Sequence, residues 1–362
     1  VQLSKFKDKE LVLSLADSIK QKAKKFDRLR IMHVCGTHEN SISRYALRDL
    51  LPDNIKLLAG PGCPVCVTSS KDIDAIINYG IKNDCTILTF GDMLRVKGSN
   101  YSLFSASKLG LGVKMVYGLD EAIYYAKQTK KDAIFFSVGF ETTAAPIASI
   151  IKSINLPENL SFFSVHKYTP NGVLELLKAG KLNIDALILP GHASIVSGLA
   201  PYEKAASDFN LSCVAAGFEP ADILSAILMI INQFENNICK VENEYERLLS
   251  YEGNKLAQNA LNEVFDITDS IWRGLGIIKN SGFEFKTTYN HLNAKLKFNI
   301  PFSDSYIEEQ KGCRCAEVVL GSIEPPQCPM YDKICNPHNP VGPCMVSDEG
   351  TCRNWWEVKG ET

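Results

Sequence analysis

The chain predicts an α/β fold of two doubly wound, Rossmann-like parallel-sheet lobes, followed by a helical third domain that ends in a cysteine-rich tail. Three observations predict it. Short apolar runs alternate with helical patterns from about residue 29 to 217. The pattern then changes to long helical spacing after Pro220. From Pro301 the composition turns to Cys, Pro, Gly and Asn.

The apolar runs fall at 29–34, 55–59, 86–90, 113–117, 133–138, 161–165, 186–189 and 212–216. Each is short, nearly continuous in apolar character and followed by a turn, as a strand covered by helices on both faces reads. Strands alternating with helices imply parallel sheets built from right-handed crossovers. The eight runs divide by spacing into two groups of four. The expected lobes are therefore 26–118 and 119–220, joined near 118–120. Ile223, Leu224, Ile227, Leu228 and Ile231 recur at helical spacing. They predict long helices over 221–265, packed with an N-terminal helix at about 5–25 as a third domain of residues 1–25 and 221–362. The tail cannot form a core from its own side chains, and a bound metal is the natural substitute.

The totals narrow the function. The chain has 362 residues, 45% hydrophobic and 22% charged, with a formal net charge of -2. That balance gives no electrostatic reason to expect nucleic acid or an anionic membrane as partner. The first ten residues lack the apolar core of a signal peptide, and the longest apolar stretch, 226–234, is far below membrane-spanning length. A cytoplasmic location is expected. Twelve cysteines in such a compartment point to metal or redox chemistry before structural disulfides. Cys85, Cys213 and Cys239 lie in apolar stretches and read as small core residues.

Ligands of open parallel sheets bind beyond the carboxyl ends of the strands. Here those ends carry Cys35-Gly36-Thr37-His38-Glu39, Gly60-Pro61-Gly62-Cys63-Pro64-Val65-Cys66 and Gly91-Asp92-Met93-Leu94-Arg95. Further on come Gly139-Phe140-Glu141-Thr142-Thr143, His166, Pro190-Gly191-His192-Ala193-Ser194 and Gly217-Phe218-Glu219. Together they imply one cleft lined with thiols, carboxylates, imidazoles and hydroxyls. Cys35 is expected where a strand turns into a helix, where backbone N–H groups favour a thiolate, a soft ligand suited to iron. The alternative for it is a buried strand-end cysteine. Cys63 and Cys66 form a C-x-x-C, readable as a redox dithiol or as half of a metal site. Asp92 either pairs with Arg95 or sets charge in the cleft. Glu141 suits either the cleft or an ordinary helix start. His192 is a candidate proton relay or ligand, with a structural hydrogen bond as the alternative.

The tail reads C-x-C-x12-C-x6-C-x8-C-x7-C, from Cys313 and Cys315 through Cys328, Cys335 and Cys344 to Cys352. Thiolate sets of this kind bind iron–sulfur clusters or zinc. Six thiols exceed the four that one cubane needs. Cys313 and Cys315 stand two apart and point to opposite sides of extended chain, so only one of them is expected to be a ligand.

These motifs, with Thr89-Phe90-Gly91-Asp92-Met93, Trp272-Arg273-Gly274-Leu275-Gly276 and Cys344-Met345-Val346-Ser347, resemble the HypD family of hydrogenase maturation factors. The resemblance runs in order from about residue 30 to 353. Ala193 departs from it, standing where the family usually has a bulkier residue. The resemblance implies a scaffold that works with the small protein HypC to assemble the Fe(CN)2CO unit of [NiFe]-hydrogenases, with cyanide supplied by HypE. It implies Cys35 as iron ligand and Cys63 and Cys66 as a redox dithiol; beside that iron, His38 is expected to donate a hydrogen bond or to assist transfer. It also implies a [4Fe-4S] cluster on Cys313, Cys328, Cys335 and Cys352, leaving Cys315 and Cys344 as a thiol pair. Two other classes remain open: an iron–sulfur disulfide oxidoreductase, and an interaction protein stapled by zinc. Neither a P-loop nor a G-x-G-x-x-G follows a strand, which argues against a nucleotide enzyme.

Overall fold

A computed structural model describes residues 6–359. Residues 1–5 and 360–362, which include the expected start of the first helix and both ends of the expected third domain, lie outside the described residues. All eight expected strands are present: β1 (Leu29–His33), β2 (Ile55–Ala59), β3 (Cys85–Thr89), β4 (Gly112–Met115), β5 (Asp132–Ser137), β6 (Leu160–Ser164), β7 (Ala186–Pro190) and β8 (Ser212–Ala216). Three more follow: β9 (Val241–Asn243), β10 (Phe265–Trp272) and β11 (Gly276–Phe285).

Strands β1 to β9 form two parallel sheets, but not the two consecutive groups that spacing suggested. One sheet has the order β2–β1–β7–β8–β9 and the other β4–β3–β5–β6. The chain lays down β1 and β2, leaves to build the whole second sheet, and returns with β7 beside β1. Boundaries at 26–118 and 119–220 are therefore corrected. Gly118 is no linker; it caps the start of the helix Leu119–Gln128, which crosses over within the second sheet. The error has a physical cause. Strands buried on both faces carry the same uninterrupted apolar pattern, which records burial but not the neighbouring strand.

Each sheet alternates its side chains between two cores, as the strand period of two requires. From the first sheet, Leu29 and Ile31 pack with Ile223, Ile227 and Ile231 of the helix Pro220–Glu235 and with Ile19 of the helix Lys9–Ala23. Met32, Leu187 and Leu189 face the other way, onto Val173 and Leu177. In the second sheet Phe135 and Phe162 meet the helix Glu141–Ser153, while Phe136 and Phe163 face the core that also holds the tail cysteines. Burying one such phenylalanine contributes roughly 1.5–3 kcal/mol.

The expected separate helical domain is also corrected. The helix Pro220–Glu235 covers the first sheet, β9 extends that sheet, and the helix Lys255–Val264 packs on the second. After it the chain forms the antiparallel hairpin β10–β11, turning at Gly274 and Gly276, whose φ values of 71° and 86° favour glycine. Trp272 closes the hairpin. It is fully buried, its indole N–H donates to Ser281 Oγ at 2.8 Å, and its ring packs so tightly on Gly172 that a Cβ there would stand 2.4 Å from it.

Lys167 clamps this hairpin to the end of β6. Its ammonium donates to Ser270 Oγ at 2.5 Å and to the Ile271 carbonyl at 2.8 Å. Burial pulls its pKa down to about 8; Asp72, Glu308 and Glu284 oppose the shift and Lys295 adds to it. A base with a lowered folded pKa gains stability as pH rises from the folded value toward the unfolded one, and loses it again as pH falls through the folded value. Between pH 8 and about pH 10, wild-type stability in denaturant titrations should therefore rise relative to Lys167→Met, by on the order of 1 kcal/mol.

Candidate functional site

Cys35 follows β1 by two residues and stands in extended conformation at the N-cap position of the helix Gly36–Arg44, where its side chain makes no capping bond. The nearby backbone N–H groups of His38 and Thr37 and the Thr37 hydroxyl act to lower its pKa. Those donors favour a thiolate. Burial acts against them and dominates, with Glu349 adding to it, and together they push the thiol up to about 11. Partial burial thus opposes the thiolate that the helix-start position favours.

The loop after β2 is pressed against the same point. The Gly36 N–H donates to the Gly62 carbonyl at 3.0 Å, and a Cβ on Gly62 would stand 2.2 Å from the Cys35 nitrogen. This close approach is why glycine precedes Cys63. Cys63 and Cys66 are joined as a disulfide with Cα atoms 5.2 Å apart, both nearly buried.

Cys35 opens into a cavity of about 120 Å³. Thr37 and Pro64 line it from the first sheet's loops, with His192 after β7. Thr142, Thr143 and Thr169 come from the second sheet, and Glu349 from the tail. The carboxyl ends of both sheets thus meet at one thiol. His192 is half-buried, stacks on Phe218 at 4.1 Å, and is held below its ordinary pKa by burial. Glu349 went unremarked in the sequence, although the acidic pair Asp348-Glu349 between Cys344 and Cys352 was a usable signal. Burial pushes its pKa up to about 7, with Asp92 and Asp348 adding to the shift.

Other expected site residues do not line this cavity, Cys63 and Cys66 among them. His38 is fully buried and turns away, donating from Nε2 to the Gly217 carbonyl at 2.9 Å; burial lowers its pKa to about 3, so it stays neutral. Glu141 accepts the Thr169 N–H at 2.7 Å and the Thr169 hydroxyl at 2.9 Å, which caps the following helix, and burial raises its pKa to about 7. Asp92 accepts the Ser347 hydroxyl at 2.7 Å and so ties the tail to the second sheet. Arg95 does not pair with Asp92; it donates to the Pro337 carbonyl at 2.8 Å. His166 is buried between the Ser137 and Ser164 hydroxyls, at 2.8 and 3.0 Å.

The tail cysteines converge. Cys313, Cys315, Cys328, Cys335, Cys344 and Cys352 all line one small apolar cavity of about 20 Å³. Cys315 and Cys344 sulfurs lie 3.0 Å apart as free thiols. The Val341 N–H points at Cys335 Sγ at 3.4 Å, and Gly342 leaves the room that Cys313 Sγ occupies. Among the described residues no three His, Cys, Asp or Glu side chains stand ready-made around a single metal ion. The donor set is nonetheless rich in sulfur and set in apolar walls, a chemistry that suits an iron–sulfur cluster or zinc. The buried Arg273 guanidinium contributes a positive charge beside Cys315 and Cys313. The Cys63–Cys66 disulfide and five of the six tail cysteines belong to the same continuous core, with Cys313 packed at its margin.

A family model described as the hydrogenase formation hypA family, HypD, matches residues 10–359. The chain belongs to the HypD family. The HypD relatives include hydrogenase maturation factor HypD1 of Bradyrhizobium diazoefficiens, 38% identical over 98% of this chain and 96% of its own length. HypD of Escherichia coli is 36% identical over 99% of this chain and 98% of its own. A protein assigned provisionally to hydrogenase expression and formation in Methanocaldococcus jannaschii is 43% identical over 97% and 98%. Among the described residues no helix is long and apolar enough to cross a membrane.

Gly62→Ala tests how closely the two loops depend on each other. The added methyl collides with the Cys35 backbone, and the variant should lose about 2 kcal/mol of stability in urea titrations.

Proposed function

We propose that this hydrogenase maturation factor is the redox-active scaffold on which the Fe(CN)2CO unit of [NiFe]-hydrogenases is assembled in the cytoplasm, with a HypC-like small partner and a HypE-like cyanide donor. One observation carries the reading: a single thiol, Cys35, opens into a cavity walled by hydroxyls, an imidazole and a carboxyl where two sheet edges meet. Iron with cyanide and carbon monoxide ligands takes a soft thiolate, and Cys35 supplies it. Binding the metal displaces the thiol proton. Glu349, in the same cavity, is the group that receives it. The Thr37, Thr142 and Thr143 hydroxyls donate to the cyanide nitrogens, and the N–H groups at the start of the helix Gly36–Arg44 favour their negative charge. A second thiolate comes from the partner.

The tail thiols Cys313, Cys328, Cys335 and Cys352 hold a [4Fe-4S] cluster in this reading. When bound, that cluster supplies electrons singly, whereas a dithiol passes two. Cys315 and Cys344 serve as a thiol pair beside it, and a core shared with Cys63–Cys66 supports exchange among them. The same disulfide would suit an iron–sulfur disulfide oxidoreductase; turnover of a protein disulfide with no HypC-like partner would favour that reading instead.

In Cys35→Ala, the cyanide and carbonyl infrared bands of the partner complex should vanish while the visible absorbance of the tail cluster remains. Persistence of those bands would show that another residue holds the iron.

A further inference from the structure

Behind Cys35 a chain of contacts runs through the protein to the tail. His33, 1% exposed, sits two residues before it with Nδ1 3.3 Å from the Cys35 carbonyl oxygen. Its Nε2 lies 2.9 Å from Glu39 Oε2. Glu39, also 1% exposed, receives the Ser43 hydroxyl at 2.8 Å and both terminal nitrogens of Arg48, at 2.9 and 2.8 Å. This two-pronged pairing fixes direction as well as distance. Arg48 Nε donates to the Leu57 carbonyl at 3.3 Å, which leaves the guanidinium plane little freedom.

The other face of that guanidinium is covered by the tail. Arg48 Cζ stands 4.9 Å from the centre of the Trp355 ring, within cation–π range. Trp355 belongs to the helix Thr351–Lys359, which also carries Cys352. The same helix meets the Cys35 helix again through Asn354, which accepts the Asn40 side-chain amide at 2.9 Å. None of His33, Arg48 and Trp355 lines the Cys35 cavity.

We infer that Arg48 is a positioning residue that sets the Cys35 backbone through Glu39 and His33, and that Trp355 makes this setting depend on the cysteine-bearing tail helix. The inference rests on Cys35 being the reactive thiol of the cavity, but not on iron being its ligand. Among the described residues Arg48 is the one arginine or lysine bonded to Glu39, so removing it leaves a buried carboxylate with His33 as its remaining basic partner. Lysine keeps the charge but can neither grip both carboxylate oxygens in one plane nor lie flat on an indole.

The test is the rate of Cys35 alkylation by iodoacetamide in the full chain without iron or partner, read by peptide mass spectrometry. Arg48→Met and Trp355→Ala should each speed it about 5-fold or more, and the double variant no further than the faster single one, since both break the same chain. Arg48→Lys should behave as Arg48→Met. Trp355→Phe keeps a ring under the guanidinium and should react at close to the wild-type rate. Buried Cys85 and Cys213 report on folding and should stay unreactive throughout. Multiplicative effects in the double variant, a wild-type rate in Arg48→Lys or Trp355→Ala, or parallel exposure of Cys85 and Cys213 would each overturn the proposal. If Arg48→Met does not fold, the lysine and the two tryptophan variants decide it. The iron assignment fails separately, through the infrared bands of Cys35→Ala.

Discussion

At Cys35 two opposed effects act on one sulfur atom, and the rest of the site is arranged around their balance. The start of a helix and the Thr37 hydroxyl offer hydrogen bonds to a thiolate. Burial against the cavity walls, with Glu349 adding to it, pushes the other way and raises the thiol pKa. A cation beside the sulfur would shift that balance toward the thiolate. The balance depends on backbone proximity: Gly62 and Gly36 let the second loop and the tail pack directly onto the residue. Larger residues would push those walls away and let water in.

The eight strands could be read from the sequence because burial on both faces leaves a short apolar run that little else imitates. Their pairing could not. Leu29–His33 and Ala186–Pro190 lie side by side in the structure, yet nothing in either run names the other. The hairpin β10–β11 escaped notice for a different reason. Its residues include Asp266, Asp269, Lys279 and Asn280, largely solvent-facing, so no continuous apolar run marks it. What holds it is Trp272, Lys167 and Gly172, contacts between segments far apart in sequence.

The site was legible in its thiols and hydroxyls and less so in its charged groups. Cys35, Thr37, Thr142, Thr143 and His192 do share a cavity. His38, Glu141 and Asp92 were singled out on the same grounds, as polar residues after strands, but each is consumed by a local bond to Gly217, Thr169 or Ser347. A strand end needs helix caps and loop anchors as much as it needs catalysts, and one sequence does not separate those roles. Glu349 and Arg48 act across the fold, one from the tail and one from a short 3-10 turn, and their importance appears only when the chain is closed.

The tail brings six sulfurs to one apolar cavity with no carboxylate or imidazole among its lining residues. Thiols gathered this closely gain little from one another without a metal, and they share a core with the Cys63–Cys66 disulfide. The account therefore turns on what the tail holds. The direct measurement is an anaerobic visible spectrum, with iron and acid-labile sulfide determined on the same sample. A brown protein with about four iron and four sulfide per chain is the predicted result. A colourless protein with zinc and no sulfide would contradict it, and would leave the Cys63–Cys66 pair without a source of electrons.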